Sequence, residues 1–332
     1  MKRLALVFGL LALALGSQPL AQGNEVRFRS GTDLVVLHVA VRDRRGAFLE
    51  HLPKSAFSVL EDGRPQHIET FTTQDVPVTV GLVVDASVSM WAVRDRVIAA
   101  VETFAATSHP DDELFALAFN EHVTAALPES APFTSDPAVL KNALSAAVNA
   151  RGKTALYDAV SNGLDYLDKG SRERKVLVLI SDGGDNASRT SFQDVLQRTQ
   201  TSNVVIYAVA LPDPADPDAN PKILRELART SGGQMIQPSD ARDVSRSLTQ
   251  IALDIRHVYT VGYAPARAAD DSYRRITVNV APPDRQRVTV RTRAGYRAIV
   301  TTPRVPESDA SDVIDTPVPP PNEAGHEDDD GH

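Results

Sequence analysis

The sequence predicts an α/β protein. It reads as a doubly wound, mostly parallel sheet, with a smaller antiparallel, β-sandwich-like domain formed by its N- and C-terminal flanks. Three observations carry this. From about residue 78 to 238, continuous apolar runs alternate with stretches of helical periodicity, as a parallel sheet covered on both faces requires. In the flanks, apolar residues instead alternate with polar ones, the pattern of antiparallel sheet with one wet face. Two of the continuous runs end in clusters of Asp, Ser and Gly, at the strand ends where open α/β sheets collect ligands.

Taken in order, Lys2 and Arg3 precede an apolar core from Leu4 to Leu15, and small residues follow up to Ala21. Residues 1–21 therefore read as a signal peptide for export, to the periplasm or out of the cell. The apolar core is shorter than the ~20 residues of a spanning helix, so membrane association is expected only if the signal stays uncleaved. Residues 24–75 form an N-terminal β segment: Val35, Leu37, Val39 and Val41 alternate, and Glu61-Asp62-Gly63 signals a hairpin between Phe57–Leu60 and Ile68–Phe71.

Residues 76–256 make the α/β domain. Its buried strands are 78–84, 114–119, 176–180 and 204–210, with an edge strand from Val123 to Leu127. Helical faces are drawn by Val93, Val97, Val101 and Phe104; by Leu140, Leu144 and Val148; and by Leu156, Val160, Leu164 and Leu167. Further faces come from Phe192, Val195 and Leu196; from Ile223, Leu224 and Leu227; and from Val244, Leu248, Ile251 and Ile255. A C-terminal β segment, 257–300, returns to alternation through Ile276, Val278, Val280, Val288 and Val290, and is expected to pair with 24–75. The α/β domain is then an insertion between the strands of the β domain; two independent β extensions are the alternative. Residues 301–332, rich in Asp, Glu and Pro, are expected to form a disordered, solvated tail.

Composition narrows the function. The 332 residues include no cysteine, so disulfides, thiolate metal sites and cysteine nucleophiles are excluded. The tail carries nine acidic groups and one arginine, which accounts for the whole formal charge of −8. The near-neutral remainder argues against a nucleic-acid surface, which needs a clustered basic face. No Gly-x-Ser-x-Gly elbow, P-loop or dinucleotide fingerprint is present. Neither an enzyme nor a small-molecule substrate is expected.

The most informative stretch is Asp85-Ala86-Ser87-Val88-Ser89, directly after the run 78–84. Three small oxygen-bearing side chains at alternate positions suit a hard cation such as Mg²⁺, which wants oxygen ligands. Gly152-Lys153-Thr154, before a helical pattern, adds a hydroxyl; Ser181-Asp182-Gly183-Gly184-Asp185, after a buried strand, adds a carboxylate. In the sheet order 3-2-1-4-5-6 the first and fourth strands are neighbours, which brings Asp85 and Asp182 together. Taken singly, Ser87 or Ser89 reads as an N-cap of the helix beginning near Met90. Five positions in order and context outweigh that reading.

The set Asp85, Ser87, Ser89, Thr154 and Asp182 resembles the metal-ion-dependent adhesion site (MIDAS) of von Willebrand factor A domains, matching Asp-x-Ser-x-Ser, Thr and Asp at all five positions. Val88 departs from the glycine of many relatives. The likeness extends over roughly residues 30–298 to bacterial VWFA-related proteins, through Phe57-Ser58-Val59-Leu60-Glu61-Asp62-Gly63, Tyr259-Thr260-Val261-Gly262-Tyr263 and Arg293-Ala294-Gly295-Tyr296. The resemblance implies a Rossmann-like fold and a bound Mg²⁺, Mn²⁺ or Ca²⁺. It implies that Ser87 and Ser89 bind the ion directly, that Thr154 binds directly or through water, and that Asp85 and Asp182 hold ligating waters. The ion would then take an Asp or Glu carboxylate of a partner protein. The expected function is thus an exported, cation-dependent, adhesion-type protein-binding module. The alternatives are an accessory or scaffold subunit of a larger envelope complex, or a metal-assisted hydrolase, for which no general base stands out. Asp158 and Asp185 are expected to serve a helix turn and a loop, Trp91 to pack in the core or at the rim, and Lys153 to be solvated.

Overall fold

The computed structural model describes residues 34–148, 151–211 and 216–300; the predicted signal peptide and acidic tail lie outside them. Four strands come first: β1 (Val35–Arg42), β2 (Phe57–Glu61), β3 (Arg64–Gln66) and β4 (Ile68–Thr72). The α/β block holds β5 (Val78–Asp85), α1 (Arg94–Ala106), β6 (Glu113–Phe119), β7 (Val123–Ala125), α2 (Pro137–Ala147), α3 (Leu156–Leu167) and β8 (Arg174–Ser181). It continues through α4 (Phe192–Thr201), β9 (Val205–Ala210), α5 (Pro221–Ser231), β10 (Met235–Ile236) and α6 (Val244–Arg256). The chain then forms β11 (Tyr259–Tyr263), β12 (Tyr273–Val280), β13 (Thr289–Arg291) and β14 (Gly295–Arg297).

The central sheet runs β10-β9-β8-β5-β6-β7, and only the pairing of β7 with β6 is antiparallel. β5 is buried along its full length because helices cover both of its faces. Val80, Leu82 and Val84 face a core with α1, α2 and α6, whereas Val83 joins Leu177 and Leu179 under α3, α4 and α5. Gly81 leaves room for the side chains of Phe115 on β6 and Leu177 on β8. A Cβ there would lie 2.3 Å from Phe115 Cζ, and a Cβ on Gly163 of α3 would lie 2.9 Å from Leu177 Cδ1. Gly163 thus lets α3 seat against the two strands that carry the site, over Leu177 of β8 and Val83 of β5.

The flanks build two four-stranded antiparallel sheets, β13-β1-β11-β4 and β14-β12-β2-β3. Each mixes strands from both ends of the chain: Leu37 of β1 lies opposite Val261 of β11, and Val59 of β2 opposite Val278 of β12. Leu37, Val39, Val59, Tyr259, Val261 and Ile276 share the enclosed core. Three details differ from the sequence reading. The turn at Asp62-Gly63, with φ of 47° and 78°, returns β2 onto the short β3, not onto Ile68–Phe71. β4 crosses to the other sheet to pair with β11, because its apolar positions complete that face. The alternating stretch 287–293 yields a strand only over Thr289–Arg291.

Charged groups fasten the β strands to the α/β block. Asp254 of α6, fully buried, accepts from Arg42 of β1 and, at 2.6 Å, from Arg291 of β13. Arg256 bridges Asp75 and Asp112, each at 3.0 Å. Among the described residues no helix is long and apolar enough to cross a membrane.

Candidate functional site

β5 and β8 are parallel neighbours with Val84 opposite Ile180, so both strands deliver their following residues to one edge of the sheet. Asp85 and Asp182 arrive there and are buried, each 1% exposed. The Ser181 hydroxyl donates to Asp85 Oδ2 at 2.7 Å, and the Ser87 amide donates to Asp85 Oδ1 at 2.9 Å. The loop leaves the sheet with the Ala86 amide held by the Phe119 carbonyl at 2.7 Å. Ser87 then opens a 3-10 turn, Val88–Val93, but its side chain makes no capping bond. Its hydroxyl instead lies 3.1 Å from that of Ser89, which donates to Asp182 Oδ2 at 2.7 Å. The capping role weighed for these serines is thus not the one Ser87 fills. A continuous string of oxygens joins two loops that are far apart in sequence.

Thr154 is placed by its backbone. The Arg151 amide donates to the Ala86 carbonyl at 2.9 Å, which ties this segment to the serine loop. Gly152 adopts φ of 82° against Glu121, whose Oε2 accepts from the Lys153 amide at 2.8 Å. The Thr154 amide donates to Asn186 Oδ1 at 2.9 Å, and its carbonyl accepts from the amides of Asn186 and Ala187. Thr154 is therefore braced between the loops that follow β5, β6 and β8, with 6% of its surface exposed. Among the described hydrogen bonds, none joins its hydroxyl directly to the other four side chains.

The electrostatics follow from burial. Loss of water pushes the Asp85 carboxyl up to about 6, against the downward pull of Ser87 and Ser181; the nearby Asp182 adds to the rise. Among the described residues neither carboxylate has a Lys or Arg partner. Buried carboxylates without a counter-charge are unfavourable. Two of them, lined up with hydroxyl oxygens and no nitrogen or sulfur donor, fit a hard divalent cation that takes oxygen ligands. The donor chemistry of the cluster is thus the one a magnesium-type ion requires.

Other residues matter that the sequence reading passed over. Ser181 both holds Asp85 and accepts from the Gly183 amide at 3.0 Å, shaping the loop that carries Asp182. Its position directly before Asp182, at the end of an apolar strand, was the available signal. Gly183 needs its φ of 86°, and a Cβ there would meet the Asn220 carbonyl oxygen at 2.3 Å. Asn186 positions Thr154 and carried no sequence signal, because its partner is more than thirty residues away. Asp158 accepts from the amides of Arg189 and Thr190, and Asp185 accepts from that of Ser188. Lys153 is exposed. Trp91 packs into no core: 69% of its surface is open to solvent.

Comparison with a family model agrees with this architecture. The family model described as the von Willebrand factor type A domain matches residues 80–262, more than half of the chain. Among solved structures, a von Willebrand factor type A protein from Catenulispora acidiphila is similar at 13% identity, over 81% of this chain and 75% of that one, with a TM-score of 0.49. The conserved hypothetical protein BatB from Bacteroides thetaiotaomicron aligns at 14% identity over 54% of this chain and 97% of its own, with a TM-score of 0.44. The vWF domain of the type V pili tip protein Mfa5 from Porphyromonas gingivalis aligns at 12% identity over 55% and 95%, with a TM-score of 0.45. No curated protein matches significantly.

Proposed function

Given that this chain belongs to the von Willebrand factor type A domain family, whose domains are generally protein-interaction modules, we propose that it is an exported, divalent-cation-dependent binding protein that captures a carboxylate of a partner protein. The observation that carries this reading is the string Ser87–Ser89–Asp182 beside the buried, uncompensated Asp85. Ser87 and Ser89 would hold the ion through their hydroxyls, Thr154 directly or through water, and Asp85 and Asp182 through water. When bound, Mg²⁺ (or Mn²⁺ or Ca²⁺) supplies a positive charge that neutral hydroxyl ligands leave largely uncancelled, and so attracts an outside Asp or Glu.

The chain's own residues set the rest. Asp85 fixes the serine loop through the Ser87 amide, and Ser181 fixes Asp85. Asp182 orients Ser89 and is itself steadied by the Gly184 amide at 2.8 Å. The cluster thus keeps its oxygens gathered by hydrogen bonds that a bound ion would only have to rearrange locally. Export rests on the reading of residues 1–21.

The test is a calorimetric Mg²⁺ titration of the native protein and of Asp182→Ala, followed by capture of partners from the envelope fraction with and without EDTA. Saturable Mg²⁺ binding that Asp182→Ala abolishes, with capture lost in EDTA, is the expected result. Capture that survives both EDTA and Asp85→Ala overturns the proposal.

A further inference from the structure

The 3-10 turn that carries Ser89 exposes something the metal reading does not use. With three residues per turn, positions three apart share one face. Met90, 1% exposed, and the half-buried Val93 form the face turned to the core. Ser89 and Ala92 form the second. Val88 and Trp91 form the third, and it is bare, with 63% and 69% of their surfaces exposed. Val88 and Trp91 therefore stack about 6 Å apart along the turn, with Val88 adjacent to Ser89. The core beneath is already filled by Met90, so this apolar ridge has no packing role in the folded chain. Tryptophan exposed beside a polar cluster is the residue type that anchors protein contacts.

Two neighbouring features indicate the chemistry of the occupant. A hollow of about 420 Å³ is lined by Trp91, Ala92, Arg94, Asp95 and Val148. Its arginine is held by the protein's own acceptors. Arg94 Nη1 is paired to Asp95 Oδ1 at 2.8 Å, while Nε and Nη2 donate to the carbonyls of Val148 and Ser145. Trp91, Ala92 and Val148 give the hollow an apolar wall beside the Arg94–Asp95 pair. The segment tied to the Ala86 carbonyl carries two exposed cations: Lys153 lies beside the Glu121 carboxylate, and Arg151, without a salt bridge among the described residues, complements an acidic segment.

We infer that Val88 and Trp91 form an apolar shelf that reads the residues next to the captured carboxylate. The partner is an exposed acidic segment of a protein in which an Asp or Glu is flanked by large aliphatic or aromatic side chains. This rests on the carboxylate-capturing function proposed above and adds its specificity.

Trp91 is the chain's single tryptophan, so its fluorescence reports occupancy of the shelf. The probes are two blocked peptides of equal charge, Gly-Phe-Glu-Phe-Gly and Gly-Ser-Glu-Ser-Gly, titrated into the full-length protein in millimolar Mg²⁺ and in EDTA. The phenylalanine peptide is expected to bind at least about tenfold tighter, from the apolar surface it covers, and to shift Trp91 emission to the blue. Trp91→Ser and Val88→Ser alter exposed side chains. They should keep the Mg²⁺-dependent melting shift while calorimetry shows the two peptides brought to similar affinity. Equal affinity of both peptides for the native protein in Mg²⁺ overturns the shelf and leaves carboxylate capture standing. A preference for the phenylalanine peptide that persists in EDTA supports the shelf and removes the metal from the reading. No binding of either peptide at millimolar concentration overturns the shelf.

Discussion

The Ser89 hydroxyl donates to Asp182 Oδ2 at 2.7 Å across 93 positions of sequence. This bond closes the gap between the loop after β5 and the loop after β8, and it exists because those strands are neighbours in the sheet. It makes the two loops one chemical unit, and its consequences are measurable.

An ion bound only by the folded chain raises stability by mass action. At tenfold excess over its dissociation constant, Mg²⁺ should add about 1.4 kcal/mol. Ser89→Ala and Asp182→Ala should lose that increment, which melting curves with Mg²⁺ and with EDTA will show. An undiminished Mg²⁺ increment in Asp182→Ala would count against the cluster as the binding site.

Ser181 touches Asp85 and the Gly183 amide but is not among the proposed ligands. Ser181→Ala deprives a buried carboxylate oxygen of its donor, at a cost of about 1–3 kcal/mol. Mg²⁺ affinity should fall as well, because the orientation of Asp85 depends on that bond. Urea unfolding in EDTA, set beside a Mg²⁺ titration, separates the two effects. Unchanged stability would mean that water replaces the hydroxyl.

Asp254 is the buried anion on which Arg42 and Arg291 converge from two β strands. Asp254→Ala leaves both guanidinium groups facing a space without counter-charge and should destabilise by about 3 kcal/mol. Asp254→Asn, which keeps an acceptor, should be milder. Denaturant unfolding of both variants checks the order, and a neutral Asp254→Ala would show that the arginines find solvent.

His38 gives the pH dependence. Burial, then the nearby Arg174 and Arg293, lower its imidazole from the ordinary 6.5 to about 3. The Thr260 hydroxyl lies 3.4 Å from its Nδ1. Above pH 6.5 the ring is neutral in both folded and unfolded chains. As pH falls below that, the unfolded chain takes up the proton and the folded chain refuses it. The His38 contribution to stability should therefore drop by up to about 1.4 kcal/mol per pH unit toward pH 3, whereas Asp85, raised to about 6, acts in the opposite sense as pH falls below 6. His38→Gln should flatten the part of this fall between pH 6 and pH 4.5, above the range where most carboxylates titrate. An identical acid limb in both proteins would assign the loss elsewhere.

The α/β block was legible because burial on both faces leaves a one-dimensional trace. A strand such as Val78–Asp85 must be apolar throughout, and a helix such as α3 must repeat at its own period. The five candidate positions were legible because each sits directly beyond, or one loop beyond, such an element. The hairpin partner of Phe57–Leu60 was not, since two short alternating segments compete for one edge and packing against the second sheet decides between them.

Sequence by itself determined the layer order and the residue types gathered at the strand ends, because hydrophobic period and chain direction are local properties. Only the tertiary structure decided three things. It bound Ser89 to Asp182, it braced Thr154 through Asn186, and it turned Trp91 outward beside them. Each depends on which side of a turn meets which neighbouring loop, a relation fixed by packing between segments distant in the chain.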